Sequence, residues 1–198
     1  MAPTMTGTSD QDLRQAFDKL AAGDRDGLRD IWRGWHSKLY SYTLTLVGSR
    51  DEADDLLGDV MVKLSGQGRR LAKVTSPQAY LFRMVRNEAL SLLRRLIRRR
   101  HVPWDEDGAG SEQTVDAVAV RQAVLGLPAL QREVVALHAW GGLTFEQIGR
   151  VTSVSTNTAA GRYRYALAKL KQVLGDEERE SQELGAQAAV GTSSRAGS

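Results

Sequence analysis

Between Ser155 and Leu174 the chain carries four basic residues and no acidic one. At ~100° per residue of a helix, Asn157, Thr158, Arg162, Tyr165 and Lys169 share one side. Ala159, Tyr163, Ala166, Leu167, Leu170 and Leu174 share the other. An arginine, an amide and hydroxyls on the front of a helix with an apolar back can bond to base edges in a DNA major groove. Arg164, nearer the flank, suits a phosphate contact. The plainer alternative is a hairpin of two helices with a solvated basic face.

Two further clusters have recognisable chemistry. Tyr80, Arg83, Arg86, Asn87 and Arg94, interleaved with Phe82, combine guanidinium groups, an amide and aromatic rings. That mixture suits phosphate contacts and stacking on unpaired bases, although Tyr80 would also serve in a core. Asp51, Asp55 and Asp59 are spaced four apart, with Asp54 beside them, on the side of a helix away from its apolar stripe. Like charges at that spacing destabilise a helix by ~0.2–0.5 kcal/mol per pair, and Gly58 in mid-helix adds up to ~1 kcal/mol. A face retained at that cost reads as a docking surface for a basic partner, or as a merely solvated acidic face. Aspartates laddered along a helix do not converge on one point, so no metal site is expected.

Nothing in the pattern supports bond-making chemistry. His36, His101 and His138 stand far apart without acid or nucleophile partners, and the glycines mark caps and turns rather than a phosphate-cradling loop. Neither an enzymatic activity nor a cofactor is expected.

These clusters need helices to hold them, and the caps for those helices are visible. Ser9 caps a first helix with Leu13, Ala16, Phe17 and Leu20 inward and Gly23 at its end. A second runs from about Arg25 to Val47 with an apolar stripe of Leu28, Ile31, Trp32, Trp35, Leu39, Tyr42 and Leu46. Gly48 ends it and Ser49 caps the third, whose inward face is Ala53, Leu56, Leu57, Val60, Met61 and Leu64. Gly66 to Ser76 reads as a basic loop. Ser76-Pro77 opens the fourth helix, with proline where its missing N–H is harmless. Pro103 and two glycines in RRRHVPWDEDGAGSE mark a linker. Helices from about Gln113 to Gly126 and Pro128 to Trp140 follow. Thr144 with Gln147 forms a capping box for the first helix of a helix-turn-helix, Ser153 and Val154 make its turn, and Ser155 caps the second helix.

The expected fold is all-α: two small helical domains joined by a flexible linker. A disordered stretch (1–8) precedes a four-helix domain (9–97), a linker (98–112), a helix-turn-helix domain (113–175) and a flexible, polar tail (176–198). Apolar residues at 41% and charged residues at 26% fit a soluble globular chain. No apolar run approaches the ~20 residues that span a bilayer. The N-terminus lacks the basic flank and apolar core of a signal peptide, and there are no cysteines. A cytoplasmic location is the simplest reading. Net charge is only +3, yet seven arginines lie between Arg83 and His101 and five acids between Asp51 and Asp59. Such segregation implies several charged partners, one of them polyanionic.

Taken in order, these pieces resemble an extracytoplasmic-function (ECF) sigma factor, over roughly residues 10–174. ADDLLGDVMVKL (Ala53 to Leu64) resembles the segment that docks on the clamp of core RNA polymerase. SPQAYLFRMVRNEALSLLRR (Ser76 to Arg95) resembles the helix that melts and reads the minus-10 element. LPALQREV (Leu127 to Val134) and GLTFEQIG (Gly142 to Gly149) lead into the helix-turn-helix that reads the minus-35 element. The resemblance implies a dissociable specificity subunit, a monomer when free, with core polymerase and promoter DNA as partners. It leaves an anti-sigma factor open as a third. Gly58 and Ser91 replace the family's usual glutamine and aspartate, and Asn157, Ala160 and Gly161 replace its glycine, basic and serine positions in the recognition helix. Arg162 matches. The main alternative is a stand-alone helix-turn-helix regulator without polymerase docking; a helical signalling adaptor is a more distant one.

Overall fold

The computed structural model describes residues 10–98, 120 and 122–193. The expected disordered stretch, the Ser9 cap, nearly all of the linker and the start of the second domain lie outside the described residues. Every regular element among those described is helical: α1 (Asp10–Ala21), α2 (Asp26–Val47), α3 (Arg50–Ser65), a 3₁₀ helix (Gly68–Lys73), α4 (Pro77–Arg98), α5 (Ala129–Ala139), α6 (Phe145–Thr152) and α7 (Thr156–Ser193). A short helical piece at 122–125 precedes α5.

Boundaries follow the local chemistry. Gly48 closes α2 in the left-handed region (φ 77°), its N–H donating to the Leu44 carbonyl. Ser49 accepts from the Glu52 N–H to start α3. Ser76 Oγ accepts from the Ala79 N–H at 3.4 Å, ahead of Pro77. The segment expected as a loop after Gly66 is instead a 3₁₀ helix, because Leu71 supplies a fully buried anchor.

The first four helices bury Leu13, Phe17, Ile31, Trp35, Leu39, Leu57, Leu64, Leu81 and Phe82 together. Trp32 is a correction to the expected α2 stripe. It stays 42% exposed and meets the His36 ring at a tilt, 4.2 Å between centroids.

That core does not stop at the domain boundary. Val134, Leu137, Leu143, Ile148 and Val151 from the second half belong to the same contiguous cluster as the first four helices. A smaller cluster joins Ala123, Val124, Leu127, Val135, Ala166 and Leu170. The close approach depends on Gly141. A Cβ there would collide with the Leu137 carbonyl and come within 3.0 Å of the Phe82 ring.

The C-terminal helix is also longer than expected. The stretch 176–198, read as a flexible tail, is helical through Ser193. Its Glu, Gln, Ala and Leu content favours helix, and Gly175 in an α-helix costs only about 1 kcal/mol, too little to end it.

Candidate nucleic-acid interface

The helix-turn-helix forms as its capping residues dictate. Thr144 Oγ1 accepts from the Gln147 N–H at 3.3 Å, and the Gln147 side chain accepts from the Thr144 N–H at 2.8 Å. Ser153 turns the chain at φ 60°. Gly149 is required there, since a Cβ would lie 2.7 Å from the Val154 carbonyl oxygen. Ser155 Oγ then accepts from the Thr158 N–H at 3.1 Å and starts α7. The turn is braced from behind by His138, whose ring stacks on Phe145 at 4.8 Å and meets Tyr163 edge-on at 4.7 Å. Its Nδ1 also lies 2.9 Å from the Leu143 carbonyl oxygen, so this histidine is tied into the packing behind the turn.

On α7 the division into back and front is as expected. Ala159 and Ala166 are fully buried and Leu170 nearly so, while Tyr163 is partly covered. Asn157, Thr158, Arg164, Tyr165 and Lys169 are exposed, and Arg162 is half-buried on the same front. Tyr165 presents 72% of its surface to solvent, an uncommon exposure for a large aromatic that no core contact requires.

The second cluster splits. Tyr80 is half-buried, edge-on to Phe17 at 6.0 Å. The exposed Arg83 guanidinium lies over its ring at 5.9 Å. Asn87 and Arg94 are exposed, with Arg94 Nε donating to the Leu90 carbonyl at 3.0 Å. Phe82 is not available for stacking on bases: it is fully buried against Tyr42 at 5.3 Å. Arg86 is engaged inside the protein. Its Nε donates to Glu133 Oε1 at 2.6 Å, and the Tyr42 hydroxyl donates to the same oxygen at 3.1 Å. Burial, followed by the neighbouring Glu133 charge, holds the Tyr42 phenol well above its ordinary range, so it remains a donor. Glu133 was not singled out by the sequence, where it reads as one acid in an ordinary helix.

Asp51, Asp54, Asp55 and Asp59 all face solvent along α3. None of them joins an ion pair among the described residues. Val62 lies on the exposed side of the same helix with 71% of its surface open. An acidic strip with an apolar residue at its end is thus presented outward. No group of His, Asp or Glu among the described residues could hold a metal ion.

Comparison with known proteins bears directly on these surfaces. Residues 31–100 match the family model for Sigma-70 region 2, and residues 117–170 match Sigma-70, region 4. The ECF RNA polymerase sigma factor SigM of Mycobacterium tuberculosis is 30% identical over 173 residues, covering 84% of this chain and 85% of that protein. The chain belongs to the ECF sigma factors. The RNA polymerase sigma factor SigZ of Bacillus subtilis is 24% identical over 152 residues, 74% of this chain and 86% of its own. The fold matches that of the sigma factor RpoE from Bartonella quintana, solved in complex with the anti-sigma factor NepR. That match has a TM-score of 0.61 and 20% identity, and covers 83% of this chain and 95% of that one. With both regions present, this sigma factor is a promoter-directing subunit of RNA polymerase rather than a stand-alone regulator. No described helix is long and apolar enough to cross a membrane.

Proposed function

We propose a division of labour for this sigma factor at the level of residues. The α3 strip of Asp51, Asp54, Asp55 and Asp59, with Val62, docks on core polymerase. Tyr80, Arg83, Asn87 and Arg94 on α4 hold the opened strand at the minus-10 element, and Arg86 joins them once it leaves Glu133. Asn157, Thr158, Arg162, Tyr165 and Lys169 read the minus-35 element from α7, with Arg164 on the backbone. The protein works in the cytoplasm and performs no bond chemistry of its own. An anti-sigma factor, of the kind seen with RpoE from Bartonella quintana, would act by covering one of these surfaces.

The observation that carries this reading is the placement of charge. A solvent-facing acidic strip and two basic, aromatic-bearing helix fronts sit on separate elements of one fold. An acidic strip repels DNA and attracts a basic protein surface, whereas the basic fronts do the reverse. Run-off transcription with bacterial core polymerase on genomic fragments tests the whole. Co-elution tests the docking assignment. The Asp55→Lys, Asp59→Lys double variant should bind core enzyme at least roughly tenfold more weakly, because like charges are then juxtaposed, with helical content unchanged. Undiminished co-elution would remove α3 from the interface.

A further inference from the structure

We infer that Tyr165 and the bare turn at Gly161 form an apolar recess on the front of α7 that takes the C5-methyl group of a thymine in the minus-35 element. The inference rests on the minus-35 assignment of α7 above and names the base that this part of the helix selects.

Two neighbouring tyrosines on α7 have opposite surroundings. Tyr163 meets the His138 ring edge-on at 4.7 Å and lies 5.4 Å from the Phe145 ring, so the packing behind the turn uses it. Tyr165 is exposed, and no ring contact, hydrogen bond or ion pair engages it among the described residues. A single exposed ring is ordinary on a protein surface. What sets this one apart is the residue one turn before it.

Gly161 lies on the same face as Tyr165, at the spacing that makes helical residues neighbours. Glycine is the poorest helix former after proline, so a glycine inside a helix needs a reason. At Gly149 and Gly27 the reason is internal: a Cβ would come within 2.7 Å of the Val154 carbonyl oxygen in one case and 2.4 Å of the Ala16 carbonyl oxygen in the other. At Gly161 a Cβ would meet nothing within 4 Å. Folding gains nothing from glycine there, and the cleared space opens toward whatever approaches the front of α7.

Helical side chains lean toward the N-terminus of their own helix, so Tyr165 projects toward the turn that Gly161 leaves bare. Thr158 stands one turn further back on the same face. Its Oγ1 lies 2.8 Å from Ser155 Oγ, so its unengaged branch is the methyl. The recess therefore has an aromatic wall, a methyl opposite and glycine backbone as its floor. Around it the helix is cationic: Arg162 and Lys169 flank it, and no acid occurs from Thr156 to Leu174. A polyanion is drawn to this surface, while the recess itself offers nothing to a charge.

Only one group in the major groove suits such a space. Adenine, guanine and cytosine present hydrogen-bond donors and acceptors there, and thymine alone adds a methyl. A polar edge pressed against the ring would lose water without gaining a partner. The methyl loses nothing and buries apolar surface on both sides.

The test uses the full chain with bacterial core polymerase in run-off transcription. Genomic fragments supply a promoter, and its minus-35 segment is randomised to find the preferred bases. Each preferred thymine is then replaced in turn by uracil, which keeps every hydrogen-bonding group and lacks only the methyl. For the unaltered protein, one such replacement should lower transcription about fourfold, the worth of one buried methyl group. Tyr165→Phe should keep that sensitivity, because the ring remains, and Tyr165→Ala should abolish it. Gly161→Gln should also abolish it by filling the recess, while raising the thermal midpoint because glutamine is the better helix former. A preferred element without thymine, or uracil tolerated at every position, would overturn the inference. Full sensitivity in Tyr165→Ala or Gly161→Gln would do the same. A Tyr165→Phe variant that behaves like Tyr165→Ala would make the contact a hydroxyl bond to phosphate and end the methyl assignment. If Tyr165→Ala loses its helical signal, Gly161→Gln decides by the same criterion. Absence of run-off from every fragment would sink the proposed function and this inference with it, whereas transcription that ignores the methyl sinks the recess alone.

Discussion

The two helices proposed to meet DNA, α4 and α7, are built from similar residues and treated in opposite ways by the fold. On α7 most of the basic front lies open, with Tyr165 and Lys169 exposed, Arg162 half-buried and the apolar back packed. On α4 the front is divided: Arg83 and Asn87 reach solvent, while Phe82 enters the core and Arg86 is bound to Glu133. A duplex reader needs only a surface that fits a groove already present. A strand reader faces bases that are unpaired only after melting, and an open cationic aromatic face would bind any single strand it met. Exposure on one helix and cover on the other suit those two tasks.

The largest effect expected is on the side of the comparison where the halves meet. Phe82→Ala removes a fully buried ring and should destabilise the protein by about 3–5 kcal/mol, read from the denaturant midpoint. If α4 were an open reader like α7, the loss would be a small fraction of that. Next in size is a contrast within α7. Arg162→Ala should cost about 1–3 kcal/mol of discrimination at one or two minus-35 positions, measured by transcription from promoter variants. Arg164→Ala should instead weaken all promoters alike and flatten the salt dependence. A uniform loss in Arg162→Ala would assign that residue to the backbone. The smallest effect tests how far α7 depends on its neighbour. Thr144→Ala, which removes the N-cap of α6, should lower stability by about 1 kcal/mol, and base preference should be retained because Ser155 caps α7 separately.

Most of each element was legible in the sequence, because caps and apolar spacing are local signals. Gly48 with Ser49, Ser76 with Pro77, and Thr144 with Gln147 set their boundaries through contacts within a few residues, and the front of α7 followed from helical spacing alone. The junction between the halves was not legible. Periodicity says that a face is apolar or basic but not which element will cover it. Arg86 and Glu133 are 47 residues apart, and neither breaks a local pattern, so Arg86 read as a free cation and Glu133 as nothing special. Phe82 looked like an aromatic among arginines for the same reason. Trp32 erred the other way: it fits the α2 stripe, but it stays at the surface with the His36 ring tilted against it. The 176–193 helix was missed because polarity was weighed above helix propensity, and glutamate, glutamine and alanine are good helix formers.

Sigma factors with two DNA-reading modules invite recombination, with the first module of one relative joined to the second of another to obtain new promoter choices. Gly141 sets a condition on such hybrids. The space beside it is taken up by the Phe82 ring, a side chain from the other module. A donor module carrying a larger residue at that point would first have to shift against its own Leu137 carbonyl and Leu143 side chain, and would then press on this ring from the other module. Restoring a glycine, or trimming the ring to match, becomes the first adjustment in making the two modules compatible.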